Sequence, residues 1–222
     1  MKLQLALDDI TLDDAVELLD KVHTYVDIIE VGSPFIIEEG MRPVRIFKEK
    51  YPDCEILADT KIMDAGEYEA EETFKAGADY CTVLGVTDTL TIEGCVKAAK
   101  EYGKQTMVDM ICVEDVPKRV KEIEAVGVDF IGVHVGVDQQ AVGITPLEKL
   151  AEMKSCVEIM CSVGVQVIEL LKTLRVDIAF LGSAGFEQHH GPATNAFADG
   201  QIKSCAISCA QTSIVLCDSR KA

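Results

Sequence analysis

The sequence predicts an α/β fold, a single-domain (β/α)8 TIM barrel spanning residues 1–222, and three observations point to it. The first is a recurrence: Val26-Asp27-Ile28-Ile29, Ala78-Asp79-Tyr80-Cys81, Val128-Asp129-Phe130-Ile131 and Val176-Asp177-Ile178-Ala179. Their aspartates lie 52, 50 and 48 residues apart, and each leads an apolar run too brief for a helix. The second is glycine at Gly77 and Gly127 just ahead of two of these runs, where a helix would end. The third is a set of intervening strand-like segments, so that each period holds two β/α units and four periods make eight parallel strands. An open doubly wound sheet usually carries a glycine-rich loop after its first strand, whereas Asp8-Asp9 stands there.

Taken in order, Leu3 to Leu7 is the first strand and Leu12 to Val22 has the apolar spacing of a helix. Strand two follows Val26, strand three runs from Glu55 to Ala58, and strand four follows Ala78. Ile92 to Tyr102 is again helical in period, Gln105 to Met110 is strand five, and strand six follows Val128. Val157 to Cys161 and the run after Val176 are strands seven and eight. Glu187-Gln188-His189-His190-Gly191-Pro192 reads as a loop, and Ala206 to Leu216 as a final helix. No interdomain linker is visible.

The apolar fraction is 48% with 5% aromatic residues and no Trp, which implies a largely aliphatic core. With 21 Lys and Arg against 38 Asp and Glu the formal charge is −17, and no basic cluster could follow a nucleic-acid backbone. Any phosphate must therefore be held locally, by backbone N–H groups at helix N-termini. No apolar run is long enough for a membrane span or a secretory segment, and nine scattered cysteines fit a reducing compartment, so a cytoplasmic protein is expected. Cys205 and Cys209 stand one helical turn apart downstream of His189-His190, but the spacing suits helix-core cysteines better than zinc.

Polar residues at the carboxyl ends of barrel strands face the mouth of the barrel. Asp8, Glu30, Asp59, Lys61, Asp109 and His134 all fall at such positions, which scattered surface charge does not explain. Glu30 and Asp59 on adjacent strands offer two hard oxygen ligands, the sparse set that Mg2+ favours. In Asp59-Thr60-Lys61-Ile62-Met63-Asp64, alternation puts Asp59 and Lys61 on one side while Asp64 opens the next loop. A carboxylate–ammonium–carboxylate row of this kind can aim a charged lysine at a developing oxyanion.

These residues resemble the orotidine monophosphate decarboxylase superfamily, and within it the 3-hexulose-6-phosphate synthases. The resemblance covers roughly residues 1 to 154 and rests on Leu5-Ala6-Leu7-Asp8, Asp27-Ile28-Ile29-Glu30-Val31-Gly32, Leu57 to Asp64, Val108-Asp109-Met110-Ile111-Cys112 and His134 to Gln140. It implies a reversible, magnesium-dependent aldol reaction of formaldehyde with D-ribulose 5-phosphate through a 1,2-enediolate. Glu30 and Asp59 would hold the metal, Lys61 would support the negative charge, and His134 would carry the proton. Asp8 would orient substrate hydroxyls, Asp109 would bind substrate, and Asp64 would reach into the neighbouring site of a homodimer.

Departures within the superfamily select among its reactions. Orotidine monophosphate decarboxylases carry Lys directly before the first Asp of the row, where Ala58 stands here. The 3-keto-L-gulonate-6-phosphate decarboxylases, the alternative reading, resemble His-Arg-x-Arg where this chain has His134-Val135-Gly136-Val137. The family binds phosphate on two glycine turns; Gly182-Ser183 fits the second, while Ser162-Val163-Gly164 has Val163 where a glycine is expected. The last 35 or so residues, from Phe186, resemble the family little. A second alternative is therefore a sugar-phosphate-binding barrel without turnover.

Overall fold

The recurring aspartates fasten the strand ends of a parallel sheet. The computed structural model describes residues 2–144, 160–163, 176–182, 185–187, 191–193, 204–205 and 207–216. The chain divides into two units, residues 1–164 and 165–222. In the first, β1 (Gln4–Leu7), β2 (Ile28–Val31), β3 (Glu55–Ile62), β4 (Tyr80–Leu84), β5 (Gln105–Asp109), β6 (Phe130–Val133) and β7 (Met160–Val163) pair in sequence order, all parallel. Asp27, Asp79 and Asp129 stand just ahead of β2, β4 and β6, and each accepts a backbone N–H near the start of the preceding strand. The donors are Leu3 at 2.7 Å, Ile56 at 2.9 Å and Thr106 at 2.9 Å. The sequence period of two β/α units is thus a structural clamp between odd and even strands. Burial works to raise the Asp79 carboxyl, but Lys104, Lys48 and the Ile56 N–H outweigh it and hold it below the usual range.

The connecting helices follow from their caps. In α1 (Leu12–Val22) the Thr11 hydroxyl accepts from Asp14 N, Asp13 and Asp14 face the positive end of the helix dipole, and Leu12, Ala15 and Leu19 form the buried stripe. Two shorter helices, α2 (Ser33–Glu39) and α3 (Arg42–Lys50), bury Phe35 and Phe47 completely. Each such side chain contributes about 2–3 kcal/mol. Beyond α4 (Gly66–Lys75), α5 (Thr89–Tyr102) starts on an Asp88 cap, and α6 (Val116–Val126) starts on an Asp115 cap and ends on Gly127 in the left-handed region at φ 86°. α4 and α5 meet where Gly66 leaves no room for a methyl, which would lie 2.0 Å from Thr91 O. A short α7 (Val137–Ala141) follows β6.

Strand alternation then assigns the two faces of the sheet. Ile29, Val31, Ile56, Ala58, Cys81, Val83, Val108 and Ile131 are buried on the helix side. Ile28, Leu57, Tyr80 and Met107, joined by Phe130, make a separate apolar layer with one residue from each of five consecutive strands. Two residues further along four of those strands lie Glu30, Asp59, Thr82 and Asp109. An apolar floor therefore carries a polar storey at the carboxyl ends of the strands.

In the second unit β8 (Val176–Gly182) pairs in parallel with β11 (Ala210–Leu216), and β9 (Gly185–Glu187) pairs antiparallel with β10 (Gly191–Ala193). The final helix expected over Ala206 to Leu216 is corrected here: Ala210–Leu216 is a strand, preceded by helical residues at 204–205 and 207–209. Thr212, Ile214 and Val215 are β-branched and lose rotamer freedom in a helix, while β8 offers them a partner in register. Within the described residues the eighth-strand segment thus has β11 as its sheet neighbour. Of the eight parallel barrel strands predicted, seven are observed as one parallel sheet in the first unit. Cys205 and Cys209 are both buried, and His189 and His190 lie outside the described residues.

Candidate active site

Five of the six predicted rim residues stand on or immediately after strands of the first unit, on the inner face set by alternation. The sixth, Lys61, keeps the phase of Asp59 but stands in an irregular stretch of β3. The β3 register shifts between Ala58 and Ile62, and Lys61 adopts φ 48°, a conformation that a side-chain-bearing residue holds at a cost of about 1 kcal/mol or more. Its N–H is caught by the Thr82 hydroxyl at 2.9 Å. The ammonium pairs with Asp59 and lies 3.3 Å from Asp109 Oδ2. Burial tends to lower the Lys61 pKa, but Asp59 and Asp109 outweigh it and hold the group charged.

Asp59 is fixed from three directions: Thr82 donates to Oδ1 at 2.8 Å, Ser33 donates to Oδ2 at 2.9 Å, and Lys61 donates to the same oxygen. Asp109 accepts the Ile111 amide on Oδ1 at 2.9 Å, and His134 Nδ1 lies 2.8 Å from Oδ2. Burial would raise the Asp109 carboxyl, yet His134, Lys61 and that amide hold it below its usual range. The Asp109 hydrogen bond in turn raises the His134 pKa, against the opposing effects of burial and Lys61. With Nδ1 on Asp109, Nε2 is the nitrogen left to exchange a proton with a ligand. Asp109 was expected to bind substrate, and here both its oxygens serve protein partners.

Glu30 accepts from Gln4 Nε2 at 2.6 Å, and burial together with the Asp59 charge pushes its carboxyl up to about 7. Glu30 and Asp59 stand in phase on adjacent strands and offer hard carboxylate oxygens, a donor set that fits a divalent cation. Asp8 follows β1, and its carboxyl is raised by partial burial and by Asp59, with Lys61 and His134 opposing. It leans over Gly32, where an added methyl would stand 2.0 Å from Oδ1. Gly32→Ala is therefore expected to displace Asp8 and lower kcat/KM by about a hundredfold, measured as initial rates; an unchanged value would remove Asp8 from the site. Asp64 is exposed, and its only hydrogen bond among the described residues is from Ala65 N at 2.8 Å.

A cavity of about 330 Å³ opens beside His134, walled by Met110, Val113, Val133 and Val135 with Cys112 on its lining. Of the predicted phosphate group, Gly164 and Ser183 lie outside the described residues, and Gly182 ends β8 opposite Leu216. Sequence reasoning missed Gln4, Ser33 and Thr82. Each carried a signal: Gln4 is in phase with Asp8, Ser33 opens a helix directly after the strand of Glu30, and Thr82 is a polar residue in phase with Tyr80 within an apolar strand.

Comparison with known proteins identifies the family. Residues 1–179 match the model of the orotidine 5'-phosphate decarboxylase / HUMPS family, while residues 157–222 match that of the DeoR C terminal sensor domain. The second match falls largely on the second structural unit and was not anticipated from the sequence. The 3-hexulose-6-phosphate synthase of Bacillus subtilis is 49% identical over 158 residues, 71% of this chain and 75% of that protein. The crystal structure of 3-hexulose-6-phosphate synthase from Salmonella typhimurium is 52% identical, covers 78% of this chain and 82% of its own, and superposes with a TM-score of 0.75. A 3-keto-L-gulonate-6-phosphate decarboxylase from Vibrio cholerae, 22% identical with a TM-score of 0.67 over 94% of this chain and 98% of its own, shares the fold. With the row Asp59, Lys61, Asp109 and His134 assembled on a parallel α/β sheet, and a family match over most of its length, the chain belongs to the orotidine 5'-phosphate decarboxylase / HUMPS family.

Proposed function

We propose that this enzyme joins formaldehyde to D-ribulose 5-phosphate, giving D-arabino-3-hexulose 6-phosphate, as a 3-hexulose-6-phosphate synthase. The single observation that carries the reading is the chain Asp59–Lys61–Asp109–His134, which sets a fixed positive charge beside a proton-exchanging imidazole. The identity to named synthases supports it.

In the proposed reaction a proton leaves C1 of ribulose 5-phosphate and a 1,2-enediolate forms. Its C1 attacks the formaldehyde carbon, making one C–C bond, and the former carbonyl oxygen of formaldehyde takes up a proton. Lys61 faces the negative charge of the enediolate, held there by two carboxylates on separate strands. His134, oriented by Asp109, exchanges the proton through Nε2. Asp8 accepts from substrate hydroxyls. Glu30 and Asp59 would hold Mg2+, which when bound supplies Lewis-acid polarisation of the substrate oxygens.

The proposed architecture is the eightfold barrel, to which the first unit contributes the seven parallel strands β1 to β7. The proposed assembly is a homodimer in which the exposed Asp64 serves the neighbouring subunit. Exposed Met63, Tyr68 and Leu90 beside Asp64 and on the adjoining helices α4 and α5 supply an apolar surface for it.

The test is formaldehyde consumption with ribulose 5-phosphate, with and without magnesium, run beside carbon dioxide release from 3-keto-L-gulonate 6-phosphate. Metal-dependent consumption is expected. Carbon dioxide release without formaldehyde consumption overturns the reading.

A further inference from the structure

Lys61 joins Asp59 on β3 to Asp109 on β5, yet those strands are not neighbours, because β4 lies between them. The separation the ammonium must bridge is thus set by whatever spaces the two strand ends. The loop leaving β4 touches both. At its start Gly85 N donates to Asp109 O at 2.7 Å, and two residues on the Thr87 hydroxyl donates to Met63 O at 2.6 Å. Met63 is two residues beyond Lys61 and adjacent to Asp64. Gly85 fits tightly, since a methyl there would stand 3.1 Å from Asp109 O, Met110 Sδ and Val113 Cγ2.

The loop is held in turn by one side chain. Arg119 on α6 reaches back with Nε to Gly85 O at 2.6 Å, with Nη2 to Thr87 O at 2.6 Å and with Nη1 to the Thr89 hydroxyl at 2.9 Å. Glu122, 2.8 Å from Nη1, steadies the guanidinium, whose side chain is 15% exposed. α6 is already docked by the buried Val116, Val120 and Ile123. Apart from Glu122, the guanidinium partners described are the loop carbonyls of Gly85 and Thr87 and Thr89 at the first residue of α5, and a planar fork fixes direction as well as distance.

We propose that Arg119 is a positioning residue for the catalytic row: it anchors the β4–α5 loop as a bracket that sets the spacing of Lys61 and Asp109. The inference rests on the aldol function proposed above. The guanidinium touches no reacting atom and acts through Gly85 and Thr87.

The test compares Arg119→Met, Thr87→Val and the double variant in the full-length protein. Thr87→Val removes the hydroxyl to Met63 while keeping the side-chain shape and the backbone carbonyl that Arg119 binds. Each single change is expected to lower kcat about tenfold with KM for ribulose 5-phosphate within about twofold, because spacing matters to the charge that develops in the reaction. The double variant is expected to be no slower than the slower single one, as for two links in one path. Crystal structures should show Lys61 Nζ moved beyond about 4 Å from Asp109, against 3.3 Å here. Arg119→Lys, with charge but no fork, should recover only part of the rate.

Wild-type kcat per folded molecule with only a lower Tm makes Arg119 a structural tie and overturns the proposal, as do multiplicative losses in the double variant. Should Arg119→Met fail to fold, Thr87→Val carries the same test alone. A wild-type protein inactive on formaldehyde would instead refute the function. The Lys61–Asp109 distance in the variants then still decides the positioning role, and an unchanged distance overturns it.

Discussion

Replacing Lys61 by alanine is expected to lower kcat for formaldehyde consumption by at least about a hundredfold, the scale of losing one preorganised charge opposite a developing oxyanion. The side chain bridges two carboxylates that are 7% and 5% exposed, Asp59 and Asp109. Its removal leaves both buried charges facing each other, so the metal-free variant should also lose about 1–3 kcal/mol of stability, discounted because the lysine is itself partly solvated. Calorimetry with and without magnesium separates the two effects. Added cation should restore most of the melting temperature and none of the rate. A variant within a few-fold of the wild-type kcat would remove Lys61 from the mechanism.

The second large effect is a pH dependence of the metal-free protein that Glu30 creates. Its carboxyl is raised to about 7, chiefly by burial and next by Asp59. The folded protein therefore holds a proton that the unfolded chain, with an ordinary carboxylate, gives up at lower pH. Between about pH 4.5 and 7 the folded state binds more protons, so stability is full below that window, falls as pH rises through it, and is level above it. The loss from this group is on the order of 3 kcal/mol. Glu30→Gln should flatten that part of the profile, and the difference between wild type and variant isolates Glu30 from Asp8, which shifts in the same direction. Magnesium should stabilise the wild type more at pH 8 than at pH 5, and Glu30→Gln should need far more metal for the same rate. An unchanged metal titration in that variant would take Glu30 out of the cation site.

Strand phase explains how much of the site could be read in advance. Asp8, Glu30, Asp59, Asp109 and His134 were legible because a parallel barrel strand ends at its mouth, and a charged residue at the end of an apolar run has few other places to be. Thr82 and Gln4 shared that phase, but a threonine or glutamine inside a strand gains its role only once its partner strand is known. Arg119 was illegible for the same reason at longer range: it is 34 residues from Gly85, and only the packing of α6 brings its guanidinium to that loop. The tail misled for a local reason. Ala206 to Leu216 has few charges and begins with helix-compatible residues, so its β-branched second half gained its meaning only from β8.

The sequence by itself determined the period of two β/α units, the order of the parallel strands and the identities of the rim residues, because these depend on alternation and on glycine and aspartate at strand and helix ends. Tertiary structure alone decided three things. Lys61 takes a left-handed backbone conformation to face Asp109, since Thr82 and the β3 irregularity select it. The Asp79 and Asp129 repeats act as clamps on the strands before them. The segment from Val176 pairs with β11 in a second unit. In each case the deciding partner lies tens of residues away, and hydrogen bonds between distant residues leave no periodic trace in the chain.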